Sequence, residues 1–278
     1  MNQFGGNWTE AKMEIVVSYA KAYLTIMNKQ NWVKTLYFDG FAGSGLIDAS
    51  DKEEAIRGTA LRILDINEPR PFDLYYFVEK DEKNKKALEM LVNANYFGKN
   101  IHIVKEDCNT KLIAMSTFLK SYRKFRALAF IDPYGMSVNW SSIECLKNLG
   151  IDFWILVPTG VGVNRLLTRD DRNIPEQWMI KLEKFLGLSG QEIKDFFYSS
   201  KTINTLFGEE TSTNKEDSAI IKIGELYAQR LKTVFKFVSE SFVMRNSNNS
   251  IMYHFMMATN NETALKLAND VVKPKYKL

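Results

Sequence analysis

Acidic residues follow four of the apolar segments in this chain, and each stands where a short β-strand would end. Asp39 follows "TLYF", Glu79 follows "LYYFV", Asp107 follows "IHIVKE" and Asp132 follows "LAFI". The carboxyl ends of parallel strands meet along one edge of a sheet, and open α/β sheets bind their ligands at that edge. Four acids on one edge therefore predict a ligand site, since stability alone gives little reason to gather them.

The first acid opens a glycine loop, "DGFAGSG", which contains Asp39, Gly40, Phe41, Gly43 and Gly45. Glycine lets the backbone adopt positive φ and approach a ligand closely. The spacing is G-x-x-G-x-G rather than the G-x-G-x-x-G of dinucleotide-binding folds, and no helix is predicted to open at Gly45. An acid at this strand end suits an ammonium group such as that of methionine. The alternative is a tight turn without a ligand.

Glu79 is predicted to accept hydrogen bonds from both hydroxyls of a ribose, as acids after the second strand of nucleotide-binding folds do. Lys80 beside it is included in the predicted cofactor site, although the run "EKDEKNKK" also suits a solvated strand end. Gly45 and Glu79 are 34 positions apart. The usual separation is ~20 residues, and the charged segment 46–57 accounts for the excess.

Asp107 after the third strand is a candidate acceptor for the exocyclic amine of adenine. A carboxylate that caps the following helix is an equally good interpretation. Cys108 beside it is included in the predicted cofactor site, and its alternative is a small buried residue.

The fourth strand ends in Asp132, Pro133, Tyr134 and Gly135. Proline fixes φ and donates no hydrogen bond, and the tyrosine ring can stack on a planar group. A carboxylate beside a stacking aromatic would hold a nucleobase by its amino group, so Asp132, Pro133 and Tyr134 are the predicted catalytic residues. The alternative is an ordinary Asp-Pro turn with a packed tyrosine.

The elements that position these residues alternate between apolar strands and helices five times. Continuous apolar strands with helical crossovers predict a doubly wound, Rossmann-like parallel sheet. A hairpin from Phe237 to Thr259 would add an antiparallel last strand, which gives a seven-stranded, mostly parallel sheet. We expect one domain over residues 1–278, with an N-terminal helix at 8–28 and a helical insertion at about 165–216 that includes the polar loop "GEETSTNKED". Lys12 of the first helix is a lesser candidate for covering the site.

Composition narrows the class of protein further. The net charge of +4 permits a polyanionic partner without requiring one. Two cysteines, Cys108 and Cys145, and two histidines do not suggest a disulfide framework or a metal site. No signal peptide and no apolar run long enough to span a membrane are evident, so we expect a cytoplasmic protein without a membrane partner.

This order of acids, glycine loop and Asp-Pro resembles the class I S-adenosylmethionine-dependent methyltransferases, whose seven-stranded sheet has an antiparallel last strand. "DGFAGSG" is similar to the F-x-G-x-G loop of amino methyltransferases that act on bases in DNA and RNA. Those enzymes usually carry D-P-P-[YF] on the fourth strand, whereas this chain has D-P-Y-G. The D-P-[FY]-G variant resembles transfer-RNA guanine-N2 methyltransferases, which implies an exocyclic amine acceptor but weakens the case for adenine.

Nearly the whole chain looks like the three-Cys-motif partner (TcmP) family. The similar segments are "YFDGFAGSG", "GTALRIL", "YFVEKD", "FIDPYG", "NRLL", "VMR" and "YHFMMAT". The resemblance implies a methyltransferase-like fold and a partner protein with three cysteines, thought to be a radical S-adenosylmethionine enzyme. It does not imply a particular substrate.

Together these patterns predict an S-adenosylmethionine-dependent methyltransferase that acts on an exocyclic amine of a nucleobase in RNA or DNA. The alternative is a non-catalytic subunit that binds cofactor or nucleic acid beside a three-Cys-motif protein. A nicotinamide dehydrogenase fits less well, because the glycine spacing differs. The sequence leaves open the acceptor, the retention of methyl transfer with D-P-Y-G, the role of the insertion and the oligomeric state.

Overall fold

The structure is a computed structural model that describes residues 7–47, 56–205, 208–215 and 219–273. Its strands, numbered in chain order, are β1 (Lys34–Asp39), β2 (Leu46–Ile47), β3 (Ile56–Arg57), β4 (Leu74–Val78), β5 (Ile101–Val104), β6 (Phe125–Ile131), β7 (Ile151–Val157), β8 (Tyr198–Thr205), β9 (Gly208–Lys215), β10 (Phe237–Val238), β11 (Phe242–Arg245) and β12 (Ile251–Thr259).

The helices are α1 (Asn7–Met27), α2 (Thr59–Leu64), α3 (Glu82–Asn95), α4 (Cys108–Ser121), α5 (Trp140–Glu144), α6 (Asn164–Leu166), α7 (Glu176–Leu186), α8 (Gly190–Phe197), α9 (Ala219–Leu231) and α10 (Glu262–Val272). A π-helical turn spans Thr159–Val163, and a 3₁₀ turn spans Asp171–Asn173. The helix predicted over residues 8–28 corresponds to α1, and Asn261 is the N-cap of α10.

The main sheet has the order β5-β4-β1-β6-β7-β12-β10, with β11 also paired to β12. The first five strands are parallel to one another, and β12 runs antiparallel to β7. Because β10 and β11 share one side of β12, they fill a single strand position and the sheet has seven positions. This order and these directions define the class I methyltransferase fold, which confirms the predicted fold class.

The first strand of the hairpin predicted from Phe237 to Thr259 is divided between β10 and β11. The Ser239 backbone N–H donates to Met257 O at 2.8 Å, and the Met257 N–H donates to the Ser239 hydroxyl oxygen at 2.9 Å. A side-chain hydroxyl thus replaces a backbone carbonyl in the ladder, which interrupts regular pairing at this point.

Both faces of the sheet are buried, so its strands are apolar on both sides. On β6, Ala127, Ala129 and Ile131 belong to a core that includes residues of α4, α5, α7, α8 and α9. Leu128 and Phe130 belong to a second core, which includes residues of α1, α2, α3 and α10. This two-sided burial explains why the strands lack the alternation of a half-exposed sheet.

The segment after β7 differs from the predicted helical insertion. It contains the expected helices α7 and α8, but Tyr198–Thr205 and Gly208–Lys215 pair as the antiparallel strands β8 and β9. The prediction of a polar loop at "GEETSTNKED" was therefore wrong for residues 208–215. Eight residues of polar sequence pair here by backbone hydrogen bonds, and sequence polarity carries little information about such pairing.

A buried hydrogen bond fixes α1 against the sheet. The Tyr19 hydroxyl donates to Asp152 Oδ2 at 2.8 Å, and the Thr259 hydroxyl donates to Asp152 Oδ1 at 2.6 Å. Burial raises the pKa of Asp152, while these two hydrogen bonds oppose the rise. Trp154 packs its ring edge-on against Tyr19, with ring centroids 5.3 Å apart. One polar contact thus sets the position of the helix on an otherwise apolar face.

Replacing Tyr19 by Phe would leave one oxygen of the buried Asp152 carboxyl without its donor. We expect the free energy of unfolding to fall by about 1–3 kcal/mol, measured by urea denaturation. Tyr122→Phe is the matched control, because Tyr122 is exposed. Equal stabilities of the two variants would show that the Tyr19 hydroxyl does not hold α1.

Candidate functional site

Asp39 is buried at the end of β1, with 1% of its surface exposed. Its Oδ1 accepts the Phe41 backbone N–H at 3.0 Å. Within the described part of the chain, no hydrogen bond of normal geometry reaches Oδ2. The Tyr37 hydroxyl lies close enough for Asp39 to raise the pKa of Tyr37, although their atoms are not in standard hydrogen-bond geometry. One carboxyl oxygen of Asp39 is therefore available to a donor that enters this edge.

The environment of Asp39 raises its pKa to about 7. Burial is the largest cause, and the carboxylates of Asp132 and Glu79 add to the rise. The Phe41 N–H and the Lys12 ammonium oppose it. Asp39, Asp132, Glu79 and Lys12 therefore interact electrostatically, as the prediction of acids on a single edge requires.

Glu79, which follows β4, clamps the glycine loop. Its Oε2 accepts the Gly43 backbone N–H at 2.8 Å, and its Oε1 accepts the Asp81 N–H at 2.8 Å. Gly43 has φ +64°, and a Cβ built on it meets nothing within 4 Å. A carboxylate has about four lone-pair sites, so Glu79 keeps acceptor capacity on both oxygens beside an open stretch of backbone.

The glycine loop is held tightly on its inner side. A Cβ on Gly40 would stand 2.6 Å from Cys108 Sγ and 2.8 Å from Ile131 Cδ1. The Cys108 side chain therefore fills the interior behind the loop, as in the alternative interpretation, and burial raises the pKa of its thiol strongly. The charges of Asp107 and Asp39 add to that rise in pKa, and a contact of Cys108 with a cofactor stays a prediction.

Gly45 has φ +82°, and its carbonyl accepts the Gly58 N–H at 2.8 Å. The chain leaves Gly45 through β2, returns through β3 and begins α2 beside its starting point. This excursion explains the long spacing between Gly45 and Glu79. It also agrees with the prediction that no helix opens directly at Gly45.

Asp107 is the N-cap of α4, because its Oδ1 accepts the Asn109 backbone N–H at 2.9 Å. The capping interpretation is therefore correct, and an additional contact with a ligand stays a prediction. Lys80 Nζ lies 3.8 Å from Asp107 Oδ2 with its side chain 82% exposed. Lys80 is thus a solvated strand-end residue near the edge, as its alternative interpretation held.

Asp132 and Tyr134 stand at the surface end of β6, and Pro133 between them is buried. Asp132 forms an ion pair with Lys12. Tyr134 is 74% exposed, which contradicts the alternative of a tyrosine packed into the core. Its ring meets Phe41 edge-on with centroids 6.4 Å apart. Partial burial and the charges of Glu79 and Asp132 raise the pKa of Tyr134, so this phenol lies near both acids.

Asn109 also contributes to the site, although sequence analysis did not identify it. Its Nδ2 donates to Ser137 O at 2.9 Å, and its Oδ1 accepts the Asn139 N–H at 2.7 Å and the Ser142 hydroxyl at 3.1 Å. These bonds fasten the loop after Asp132 to α4. Nothing in the sequence distinguishes Asn109 from other polar residues in a first helical turn.

Lys12 was only a lesser candidate, and the structure pairs it with Asp132 and places it near enough to Asp39 to lower the pKa of that carboxyl. A signal for this exists in the sequence, because Lys12 precedes the buried residues Ile15, Val16 and Tyr19 by three, four and seven positions. Residues at that spacing share one helix face. A lysine on an apolar face needs a counter-charge, which Asp132 supplies.

Two cavities lie near α3, away from the acids. One of about 350 Å³ borders the glycine loop at Ser44 and Leu46, and one of about 460 Å³ lies between α3 and β5. None of Asp39, Glu79, Asp107 and Asp132 lines either cavity. The acids at the edge of the sheet thus lie apart from both cavities.

Over residues 7–47, 56–205, 208–215 and 219–273, no group of three or more His, Cys, Asp and Glu side chains is arranged to hold a metal ion. No helix within the same ranges combines the length and apolar character needed to cross a bilayer.

Among known proteins, only solved structures are similar to this chain, and they are similar in fold. No protein-family model matches the chain, and no curated protein matches it. The crystal structure of LPL1258 from Legionella pneumophila, described under the family model DUF519, is 16% identical and aligns 93% of this chain with 99% of that chain, at a TM-score of 0.46.

Two further similar structures carry S-adenosylmethionine in their descriptions. Trm1 from Pyrococcus horikoshii in complex with S-adenosylmethionine is 10% identical and aligns 96% of this chain with 72% of that chain, at a TM-score of 0.41. An S-adenosylmethionine-dependent methyltransferase from Clostridium acetobutylicum is 6% identical over 88% of this chain and 92% of that chain, at a TM-score of 0.39.

At TM-scores below 0.5 these likenesses carry no argument about function. The fold class rests instead on the strand order and directions described above. Membership of the TcmP family stays a prediction, as do the assigned site residues.

Asp39→Asn tests the buried carboxyl. Because burial raises the pKa of Asp39 from 3.8 to about 7, the folded state holds a proton between these values that the unfolded state has lost. The wild type therefore loses stability as pH rises from about 4 to about 7, by up to about 4 kcal/mol. Asparagine cannot ionise, so the variant does not lose stability in this way. We therefore expect its stability relative to the wild type to increase from about pH 4 to about pH 7 and to stay constant at higher pH.

Thermal unfolding at pH 4, 6 and 8 would measure this difference. Asp270→Asn on the exposed side of α10 is the matched control, since an exposed substitution changes stability by only about 0.5 kcal/mol. If the difference in stability between Asp39→Asn and the wild type is the same at the three pH values, the pKa of Asp39 is not raised in the folded protein.

Proposed function

We propose that this protein is an S-adenosylmethionine-dependent methyltransferase that acts on an exocyclic amine of a nucleobase in RNA or DNA. The observation that supports it best is the arrangement at the edge of the sheet. There Glu79 clamps an open glycine loop, and the exposed Tyr134 lies near both Glu79 and Asp132. A cofactor site and an acceptor site would thus share one edge.

The residues of the first two strand ends fit S-adenosylmethionine. Glu79 has acceptor capacity for ribose hydroxyls, and the open space at Gly43 admits a ligand close to the backbone. Asp39 Oδ2 is a buried acceptor without a normal hydrogen bond among the described residues, which suits the ammonium of the methionine part. Asp107 would accept from the adenine amine. The cofactor would supply an electrophilic methyl group.

The residues of the fourth strand end fit the acceptor. Asp132 would accept an N–H of the amine and so orient the nitrogen lone pair. As the N–C bond forms, the S–CH3 bond of the sulfonium would break and leave a neutral thioether, and Asp132 would receive the proton that nitrogen loses. Tyr134 is exposed and would stack on the base, because an aromatic ring binds a flipped base through its π-face. Transfer from a sulfonium depends mainly on alignment, so orientation by these groups would provide most of the catalysis.

A second candidate function is a non-catalytic subunit of a three-Cys-motif protein that binds cofactor or nucleic acid. Two observations favour it. The tetrad D-P-Y-G lacks the second proline of amino methyltransferases, and Lys12 already occupies one oxygen of Asp132. In this case the cofactor site would be retained, and Asp132 would have a structural role as the ion-pair partner of Lys12.

Methyl transfer from labelled S-adenosylmethionine to total RNA or DNA distinguishes these functions. We expect label on nucleic acid, with or without the three-Cys-motif protein, and a loss of roughly 100-fold in Asp132→Asn. Asp270→Asn should retain the wild-type rate. Cofactor binding without label on either nucleic acid, in the presence of the partner, would support the subunit instead.

Glu79→Gln tests the cofactor site by isothermal titration. The variant loses the charge that strengthens hydrogen bonds to ribose, so we expect the dissociation constant for S-adenosylmethionine to rise roughly 10- to 100-fold. Glu225→Gln on the exposed side of α9 is the matched control. Unchanged affinity in Glu79→Gln, or tight binding of NAD in place of S-adenosylmethionine, would contradict the assignment.

A further inference from the structure

Lys12 is a buried lysine, with 5% of its surface exposed. Its Nζ donates to Asp132 Oδ2 and lies 6.0 Å from the centroid of the Phe130 ring. Lysine is rarely buried unless it is paired, because removing an ammonium from water is costly. The Lys12 ammonium is therefore buried at a cost in free energy, and it lies beside Asp132, the acid assigned to the methyl acceptor.

The two oxygens of Asp132 have different surroundings. Oδ2 is bonded to Lys12, whereas Oδ1 accepts no hydrogen bond from the residues that the structure describes. The Asp132 side chain is 28% exposed. Among the described residues the carboxylate is therefore held through one oxygen while the other remains available, which is the arrangement that a group needs to orient a ligand.

Lys12 itself is held by the helix that carries it. Lys12 and Tyr19 are seven residues apart, or about two turns, so they lie on the same face of α1. Tyr19 bonds to Asp152 on β7, while Lys12 bonds to Asp132 after β6. One buried and one partly buried polar contact thus fix both the position and the rotation of this face.

Several elements place titratable groups near Asp132. Asp39 on β1 and Glu79 after β4 are the nearby carboxylates, and Tyr134 lies on the same loop as Asp132. Tyr253 on β12 interacts with both Asp132 and Arg165. Lys12 also lowers the pKa of Asp39, so its ammonium acts on two carboxylates that repel each other.

We propose that Lys12 is a positioning residue for the reaction assigned above: it fixes Asp132 through Oδ2 so that Oδ1 faces the acceptor amine. The proposal rests on the proposed function for the identity of that amine. The arrangement of Lys12 and Asp132 does not depend on it.

Lys12→Met removes the ammonium and keeps the length of the side chain. We expect kcat for methyl transfer to fall by about 100-fold, while KM for S-adenosylmethionine changes much less, because Lys12 bonds to Asp132 of the predicted acceptor site and affects Asp39 through its charge. Lys12→Arg retains the charge and should restore a large part of the lost kcat. Lys21→Met, on the exposed side of the same helix, is the matched control and should equal the wild type.

Crystal structures of ligand-free wild type, Lys12→Met and Lys21→Met provide a measurement that needs no activity. We expect the Asp132 carboxylate to have one orientation in wild type and Lys21→Met, and to rotate or become disordered in Lys12→Met. An unchanged Asp132 in Lys12→Met overturns the positioning role, whatever the rates are. If Asp132 rotates but the wild type methylates no acceptor, the positioning role stands and the proposed function fails.

If Lys12→Met does not fold, crystal structures of the wild type and Lys12→Arg still test the positioning role of Lys12. Disorder of Asp132 in the wild type, or a Lys12→Arg enzyme whose Asp132 is displaced at full activity, would overturn the proposal. An ordered Asp132 bonded through Oδ2 in both proteins would support it.

Discussion

The ion pair between Lys12 and Asp132 connects the N-terminal helix with the end of the fourth parallel strand, 120 residues later in the chain. Its cation is almost fully buried, and its carboxylate stands beside the buried Asp39. Without Lys12, the buried Asp39 would lie near the Asp132 carboxylate and lose a counter-charge, which disfavours ionisation of Asp39. Much of what the edge of the sheet can do chemically therefore depends on how firmly α1 is held, and the bond from Tyr19 to Asp152 supplies a second anchor for that helix.

The acids on this edge also hold its loops together. Asp39 accepts the N–H of Phe41, Glu79 accepts those of Gly43 and Asp81, and Asp107 accepts that of Asn109. Backbone N–H groups leaving a strand need acceptors, and a carboxylate at the strand end provides them. A strand-end acid can therefore be structural and ligand-binding at once, because it has more lone pairs than the loop uses. Asp107 shows the structural role most clearly, and Glu79 shows how capacity remains for a ligand.

The sequence was sufficient to predict the parallel strands and the antiparallel last strand, because burial on both faces imposes continuous apolar runs such as "LAFI" and "FWILV". It was insufficient for the β8-β9 hairpin, whose polar strands carry no apolar alternation. Within the site, the acids were identified from their positions at strand ends. The importance of Lys12 was not predicted, because lysine is usually a surface residue. Its spacing from Val16 and Tyr19 nevertheless places it on the buried face of α1. Asn109 was missed because its role depends on contacts between distant segments.

The position of Tyr134 follows from the topology of the sheet. The chain proceeds outward from β1 to β4 and β5 and then crosses back to β6 on the other side of β1, so the strand order reverses between β1 and β6. Open α/β sheets bind ligands in the crevice at that point. Phe41 follows β1 and Tyr134 follows β6, and their rings meet edge-on across the crevice. Gly135, with φ +61°, turns the chain immediately after Tyr134, and Asn109 fastens the loop beyond it. A single proline followed by this turn thus leaves the phenol exposed beside Asp132, where a planar ligand would find an aromatic surface and a carboxylate oxygen together.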